Sequence, residues 1–297
     1  MSSFSISKGV RGAAVLALGV AAPSLWAATI TVAVAANFLA PLNKLIANYQ
    51  AAGRTYSSST FTVTSGATGD LAANVTTALA AGGNTPYDLF FSADDETPAA
   101  LYAAYPSVVQ TPYFYAQGKL LLWSKFGPNV SKTGYAGFPS PSSYSYASGQ
   151  VAIANPATAP YGLAAQQVLA RVNGITYPSG AYDAKFHQYS TITSTFNAIN
   201  ASTSATSYPN MGFIAKSLVC NPATATINTT LYPGTYFEYT PATVDGNAPH
   251  DKLLQNAAAI RGRVGASAAA VDDFSAYVQS TAGKAVITSY CYKTTTL

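Results

Sequence analysis

Charge is scarce in this chain. Only 9% of its 297 residues are Asp, Glu, Lys or Arg, against about a quarter in an average soluble protein. The net charge of +4 comes from scattered Lys and Arg, and without a basic cluster the chain does not read as a nucleic-acid binder. Histidine and cysteine number two each, His187, His250, Cys220 and Cys291. All four lie far apart, so no metal-site spacing exists and no cation ligands are expected. A G-x-S-x-G elbow, a phosphate-binding P-loop, a dinucleotide G-x-G-x-x-G and an H-E-x-x-H pair are all missing. A hydrolase would need a nucleophile–base pair, and neither Ser65 nor Thr68 has an evident histidine partner. His187, in Phe186-His187-Gln188-Tyr189, reads as a surface or packed residue. His250 reads as a loop residue ahead of a helix opening at Asp251.

Long apolar runs are also missing beyond the N-terminus. There, Lys8 and Arg11 precede the apolar stretch Ala13–Ala22, which Pro23 breaks before the small residues Ala27 and Ala28. This is the pattern of a secretory signal peptide over residues 1–27, cleaved after Ala27. The apolar run is about half of what a bilayer span requires. The chain is therefore expected to be exported. In an oxidising compartment Cys220 and Cys291 have the parity for one disulfide, the alternative being two separate thiols.

What the chain does contain is a succession of strand-turn-helix units. Thr29–Ala35 is a β-branched strand, and Phe38, Leu42, Leu45, Ile46 and Tyr49 recur after it at helical spacing. Asn37 thus stands at the entrance of a first helix. Phe61–Thr64 alternates as a strand and runs through Ser65-Gly66-Ala67-Thr68-Gly69 into a helix from Leu71. Thr68 at that mouth either caps the helix or offers its hydroxyl to a ligand. Pro86–Ser92 is a third, buried strand, and Asp94, Asp95 and Glu96 suit the start of helix 97–104. Three such units argue for a parallel sheet, whose ligands bind beyond the C-terminal strand ends.

Further along, Lys119–Ser124, Val151–Ala154 and Met211–Ala215 read as strands. A helix over 161–173 places Leu163, Val168, Leu169 and Val172 on its apolar side, with Tyr161 at its entrance. Another helix starts after Ser190-Thr191, without a strand before it. Residues 127–148 are a turn-rich surface excursion; 221–248 are turn-rich too, with Tyr232, Tyr236, Phe237 and Tyr239 as candidate strand or packing residues, and helices return over 266–280 and 282–290. Asn37, Thr68, Tyr161 and the helix N–H groups form a set of neutral donors. Such a set holds a dehydrated oxyanion without a counter-charge and offers no proton-transfer chemistry at neutral pH.

Several blocks carry a family resemblance. They are Ala35-Ala36-Asn37-Phe38, Ser65-Gly66-Ala67-Thr68-Gly69, Tyr87–Asp94 and Tyr115-Ala116-Gln117-Gly118-Lys119-Leu120. Ala154-Asn155-Pro156 with Pro160-Tyr161-Gly162, and Met211–Ala215, follow in order. Together they resemble the periplasmic molybdate-binding proteins of ABC importers over nearly the whole mature chain. The resemblance implies an α/β, two-lobed type II periplasmic binding fold. Each lobe is a mixed sheet flanked by helices, and the ligand lies in the cleft. Lobe one would comprise 28–116 with 247–297, and lobe two 117–246.

By the same resemblance Asn37, Thr68, Tyr161 and Ile192 would bind the oxyanion, with Ala36 and Ala67 as possible additional contacts. One branch of the family has Ser in place of Asn37 and Tyr in place of Ala215; this chain follows the other branch. The ligand implied is molybdate or tungstate, with no cofactor and no catalysis. The partner implied is an ABC permease in the inner membrane, serving a monomer in the periplasm. Another oxyanion, a small organic anion, a secreted hydrolase and a sensor or adhesion module are the competing readings. A Cys220–Cys291 bridge would join the lobes or their hinge region and restrict closure.

Overall fold

The computed structural model describes residues 27–132, 134–137, 147–178, 183–240 and 248–295. The expected signal peptide, apart from Ala27, and parts of both excursions lie outside these residues. Two five-stranded sheets organise the chain. The first contains β1 (Thr29–Ala35), β2 (Thr60–Gly66), β3 (Leu89–Phe91), β4 (Tyr113–Gln117) and β12 (Leu254–Ala259), in the order β2-β1-β3-β12-β4. β1 pairs parallel with β2 and β3, whereas β12 runs antiparallel to β3 and β4. The second contains β5 (Leu120–Ser124), β6 (Val151–Ala154), β7 (Phe186–Tyr189), β8 (Met211–Ala215) and β11 (Thr235–Tyr239), in the order β11-β5-β8-β6-β7. β6 is parallel to β7 and β8, and β5 is antiparallel to β8 and β11. A short hairpin, β9 (Cys220–Asn221) with β10 (Thr226–Ile227), stands apart.

Burial explains why each sequence segment takes its place. β1 is central and covered on both faces, so its residues from Val32 inward need no polar alternation. β2 is an edge strand, and its alternation leaves only Phe61 and Val63 packed against the core. Helices α1 (Leu39–Ala51), α6 (Ala268–Gln279) and α7 (Thr281–Ser289) cover one face of the first sheet through Leu42, Leu45, Tyr49, Phe274 and Ile287. Helices α2 (Thr68–Ala80) and α3 (Glu96–Ala104) cover the other through Leu71, Val75 and Leu101. In the second sheet α4 (Pro160–Asn173) packs on the Leu120–Leu122 side of β5, and α5 (Ile192–Ala201) on the Leu121–Trp123 side. The architecture is a two-lobed α/β fold of two helix-flanked mixed sheets.

Three local expectations are corrected. The buried side of α4 uses Gly162, Ala164, Ala165, Val168 and Leu169, while Leu163 and Val172 are exposed. Small residues let α4 approach the sheet, so hydrophobicity alone misplaced its face. No helix opens at Asp251; β12 follows instead, and its run Leu-Gln-Asn-Ala-Ala-Ala lacks the β-branched residues that mark strands. A strand, β7, does precede α5, and it carries His187 exposed with its ring stacked on Tyr189. In the second excursion the tyrosines act as strand and packing residues, as expected: β11 contains Tyr236, Phe237 and Tyr239, and Tyr232 and Tyr236 pack onto Trp123.

The chain passes from the first sheet to the second between β4 and β5 and returns between β11 and β12. Cys220 and Cys291 form a disulfide across these parts. Just beyond it Lys293 exchanges two backbone hydrogen bonds with Gln117 (2.7 and 3.1 Å). The bridge therefore sits beside the crossover strand end at Gln117.

Candidate functional site

Parallel strands β1, β2 and β3 end at one edge of the first sheet, and β6 and β7 end at the facing edge of the second. Four of these strands lead, directly or through a short turn, into a helical segment at the cleft. The 3-10 turn Ala36–Phe38 follows β1, α2 follows β2, α4 follows β6 and α5 follows β7. Four helical N-termini consequently converge on one small pocket between the lobes. Its walls are Ala35–Asn37, Gly66–Thr68 and Ala93 from one lobe, and Ala159–Tyr161 with Thr191 and Ile192 from the other. All six residues expected to hold the ligand, Asn37, Thr68, Tyr161, Ile192, Ala36 and Ala67, line this pocket together.

No charged side chain is among the lining residues. Lys119 and Lys216 are both engaged by Glu238, at 3.1 and 2.6 Å. Burial would raise the Glu238 carboxyl, but these two ammonium groups hold it below the usual carboxylate value. What the pocket offers is dipoles. The first N–H groups of a helix have no intrahelical acceptor, and those of Thr68, Tyr161 and Ile192 find no other hydrogen-bond partner among the described residues. Each helix start adds roughly half a positive elementary charge.

The side chains divide into free and committed donors. Thr68 does not cap its helix. Ala67 occupies the cap position, without a side-chain bond, and Thr68 is the first helical residue. Its Oγ1 accepts the Ala93 N–H (3.0 Å), which leaves the hydroxyl proton available. Asn37 is committed. Its amide nitrogen donates to Gln255 Oε1 (3.0 Å) and to the Tyr292 hydroxyl (2.9 Å), which uses both hydrogens. Burial raises the Tyr161 hydroxyl well above the ordinary phenol value, so it stays protonated and neutral. Gln255 Nε2 donates to that hydroxyl at 3.1 Å.

The lobes are closed on each other around the pocket. The Gly69 N–H donates to Thr158 O (2.9 Å), Thr193 Oγ1 to Ala36 O (3.0 Å) and Ser217 Oγ to Asn37 O (3.1 Å). The contact at Gly69 is close: a Cβ there would stand 3.1 Å from Thr158 Cα.

The remaining candidates serve structure. Asp94 caps α3, with Oδ1 accepting the Thr97 N–H and Oδ2 the Thr97 hydroxyl, each at 2.9 Å. His250 is fully buried and faces the carbonyls of Asp251 and Tyr239. Among the described residues no group of three or more His, Cys, Asp or Glu could hold a metal ion. No helix there is long and apolar enough to cross a membrane. Sequence reasoning missed Gln255, Tyr115 and Tyr292, because their partners lie up to 255 positions away.

A family model described as bacterial extracellular solute-binding protein matches residues 30–293. The chain belongs to this family. It is a binding protein and not an enzyme. It is 34% identical to the molybdate-binding protein ModA of Azotobacter vinelandii over 193 residues, which is 63% of this chain and 69% of that protein. Among solved structures, the Azotobacter vinelandii periplasmic molybdate-binding protein superposes with a TM-score of 0.68 at 23% identity, covering 89% of this chain and 98% of that one. The sulfate-binding protein SubI from Mycobacterium tuberculosis superposes at 0.57 with 12% identity, covering 91% and 88%. These superpositions establish the fold of this solute-binding protein.

Proposed function

We propose that this protein captures molybdate, and tungstate with it, in the periplasm and delivers the anion as a monomer to an ABC permease in the inner membrane. The observation that carries the reading is the uncharged inter-lobe pocket at which four helical N-termini meet. A relative 34% identical is named for molybdate binding, and that selects among the oxyanions such a pocket could take.

The chemistry follows from the donor set. A dianion taken out of water needs hydrogen bonds at every oxygen. Here Thr68 supplies its hydroxyl proton and N–H, while Tyr161, Ile192 and the Ala36–Asn37 turn supply backbone N–H groups. Asn37 then acts through its backbone, its side chain holding the turn in place. Ala36 and Ala67 shape the wall with small side chains. Fixed dipoles stabilise the charge without a counter-ion that would have to be stripped on release. No lining carboxylate accepts a proton, so hydrogenphosphate would bury an unsatisfied O–H, a penalty of roughly 1–3 kcal/mol. The lobes divide near Gly118, and hinge closure buries the anion and forms the face a permease reads.

Calorimetric titration of the signal-free protein with molybdate, tungstate, sulfate and phosphate at equal ionic strength tests this. Tight one-to-one binding of the first two, with the others silent, is expected. Binding of sulfate or phosphate in preference would move the function to another oxyanion, and silence with all four would remove the oxyanion reading.

A further inference from the structure

Gln255 does not line the pocket, yet it hydrogen-bonds to two residues that do, Asn37 and Tyr161. It is fully buried on β12, at the point where the chain re-enters the first sheet. Its Oε1 accepts from Asn37 Nδ2 and from the Tyr115 hydroxyl, each at 3.0 Å. Its Nε2 donates to Tyr161, at the start of α4 in the other lobe. We propose that Gln255 is a positioning residue, which couples lobe closure to the set of the two pocket elements by linking Asn37 to Tyr161 with one side-chain amide. The proposal rests on the oxyanion reading and deepens it.

In this link one arm accepts from Asn37 and the other donates to the Tyr161 oxygen, while the Tyr115 hydroxyl is shared between Gln255 Oε1 and Ser92 O (2.7 Å). A carboxamide fills both arms without charge, whereas a carboxylate would bury a negative charge beside the oxyanion pocket. An independent feature points to the same contact. Gly118 lies in the crossover beside it, and a Cβ at that position would stand 2.0 Å from the Tyr161 hydroxyl and 2.6 Å from Gln255 Nε2. The hinge is bare of side chain where the tyrosine reaches the glutamine.

The test combines Gln255→Leu, Gln255→Glu and Gly118→Ala, titrated with molybdate alongside the wild type at each pH, with thermal melts of every variant. The Leu variant is expected to weaken binding about tenfold at all pH values, the loss of a hydrogen bond together with the orphaning of its buried partners. The Glu variant should be weak at neutral pH, where its carboxylate stands beside the anion site, and recover toward wild type in acid, where the group is neutral and again both accepts and donates. The titratable groups facing this position are Tyr115, Tyr161 and Tyr292, all pushed up by burial, and Asp94, which acts on Tyr115. Lys119 adjoins Tyr161 and is paired with Glu238. Comparison with the wild type at the same pH cancels their contribution. Gly118→Ala should weaken binding by pushing on the same pair from the hinge side.

A purely structural Gln255 would lower melting temperatures without moving the affinities or the acid recovery, and that result overturns the proposal. Leu binding like wild type while Glu does not would reduce the effect to charge repulsion and overturn it too. A wild-type chain that gives no heat with molybdate would overturn the function reading and this inference with it, which separates the two failures.

Discussion

Removing the Thr68 hydroxyl is the substitution whose effect is easiest to work out. Thr68 is buried, and its Oγ1 already accepts from the Ala93 N–H, so the hydroxyl proton is the only part of the group left for a ligand. Thr68→Val keeps the shape and deletes both functions. A hydrogen bond to a charged partner contributes roughly 1.5–3 kcal/mol, so the dissociation constant for molybdate should rise about 10- to 150-fold. Orphaning the Ala93 N–H costs a further 1–3 kcal/mol or so, but it does so with and without ligand. That part should show in the melting temperature of the ligand-free protein and largely cancel in the affinity. Thr68→Ser retains both bonds and is expected to stay within a few-fold of wild type. Calorimetry with competition for the tight binders, paired with thermal melts, separates the two effects. A Val variant that loses stability yet binds molybdate within twofold of wild type would refute the assignment of the hydroxyl to the anion.

Other outcomes follow from the same geometry. Gly162→Ala should displace the start of α4, since its Cβ would lie 2.4 Å from Ala154 O; both melting temperature and affinity are expected to fall, and an unchanged affinity would dissociate α4 from the site. Replacing Cys220 and Cys291 by Ser opens a closure spanning 71 positions, for which chain entropy gives about 4 kcal/mol; denaturant melts should show a loss of that order, with anion affinity changed far less because the bridge lies beside the crossover. His250 is neutral in the fold because burial lowers its pKa against the pull of two carbonyls. The unfolded chain therefore binds the extra proton, and stability should fall as pH drops below about 6.5. A His250→Gln variant should flatten that slope, and stability that rises toward acid would show that the two carbonyls favour the imidazolium instead.

The parts of this molecule that sequence makes legible are those governed by neighbours in the chain. The β-branched run at Thr29–Ala35 and the 3.6-residue spacing of Leu42, Leu45, Ile46 and Tyr49 are local signals. So are the small polar residues at each helix mouth, and these locate the pocket. Where packing is set from afar the signal fades. α4 buries alanines and a glycine because the sheet comes close, and its leucine at 163 is left outside. β12 is a strand because β3 and β4 flank it, not because Ala257, Ala258 and Ala259 favour extension. The role of the Asn37 side chain was the least legible of all. Its amide looks like a free donor until Gln255 and Tyr292 are brought to it from 218 and 255 positions away.

In the proposed complex a bare oxyanion sits among helical N-termini between the lobes, without a counter-charge. The most direct measurement is a crystal structure of the protein grown with molybdate, with an anomalous difference map recorded at the molybdenum edge. The account predicts one strong peak in the pocket, within hydrogen-bond reach of the Thr68 hydroxyl and of the N–H groups of Tyr161 and Ile192, with Lys119 and Lys216 still on Glu238. A peak elsewhere on the molecule, a lysine drawn in to the anion, or a pocket without a peak at saturating molybdate would contradict it.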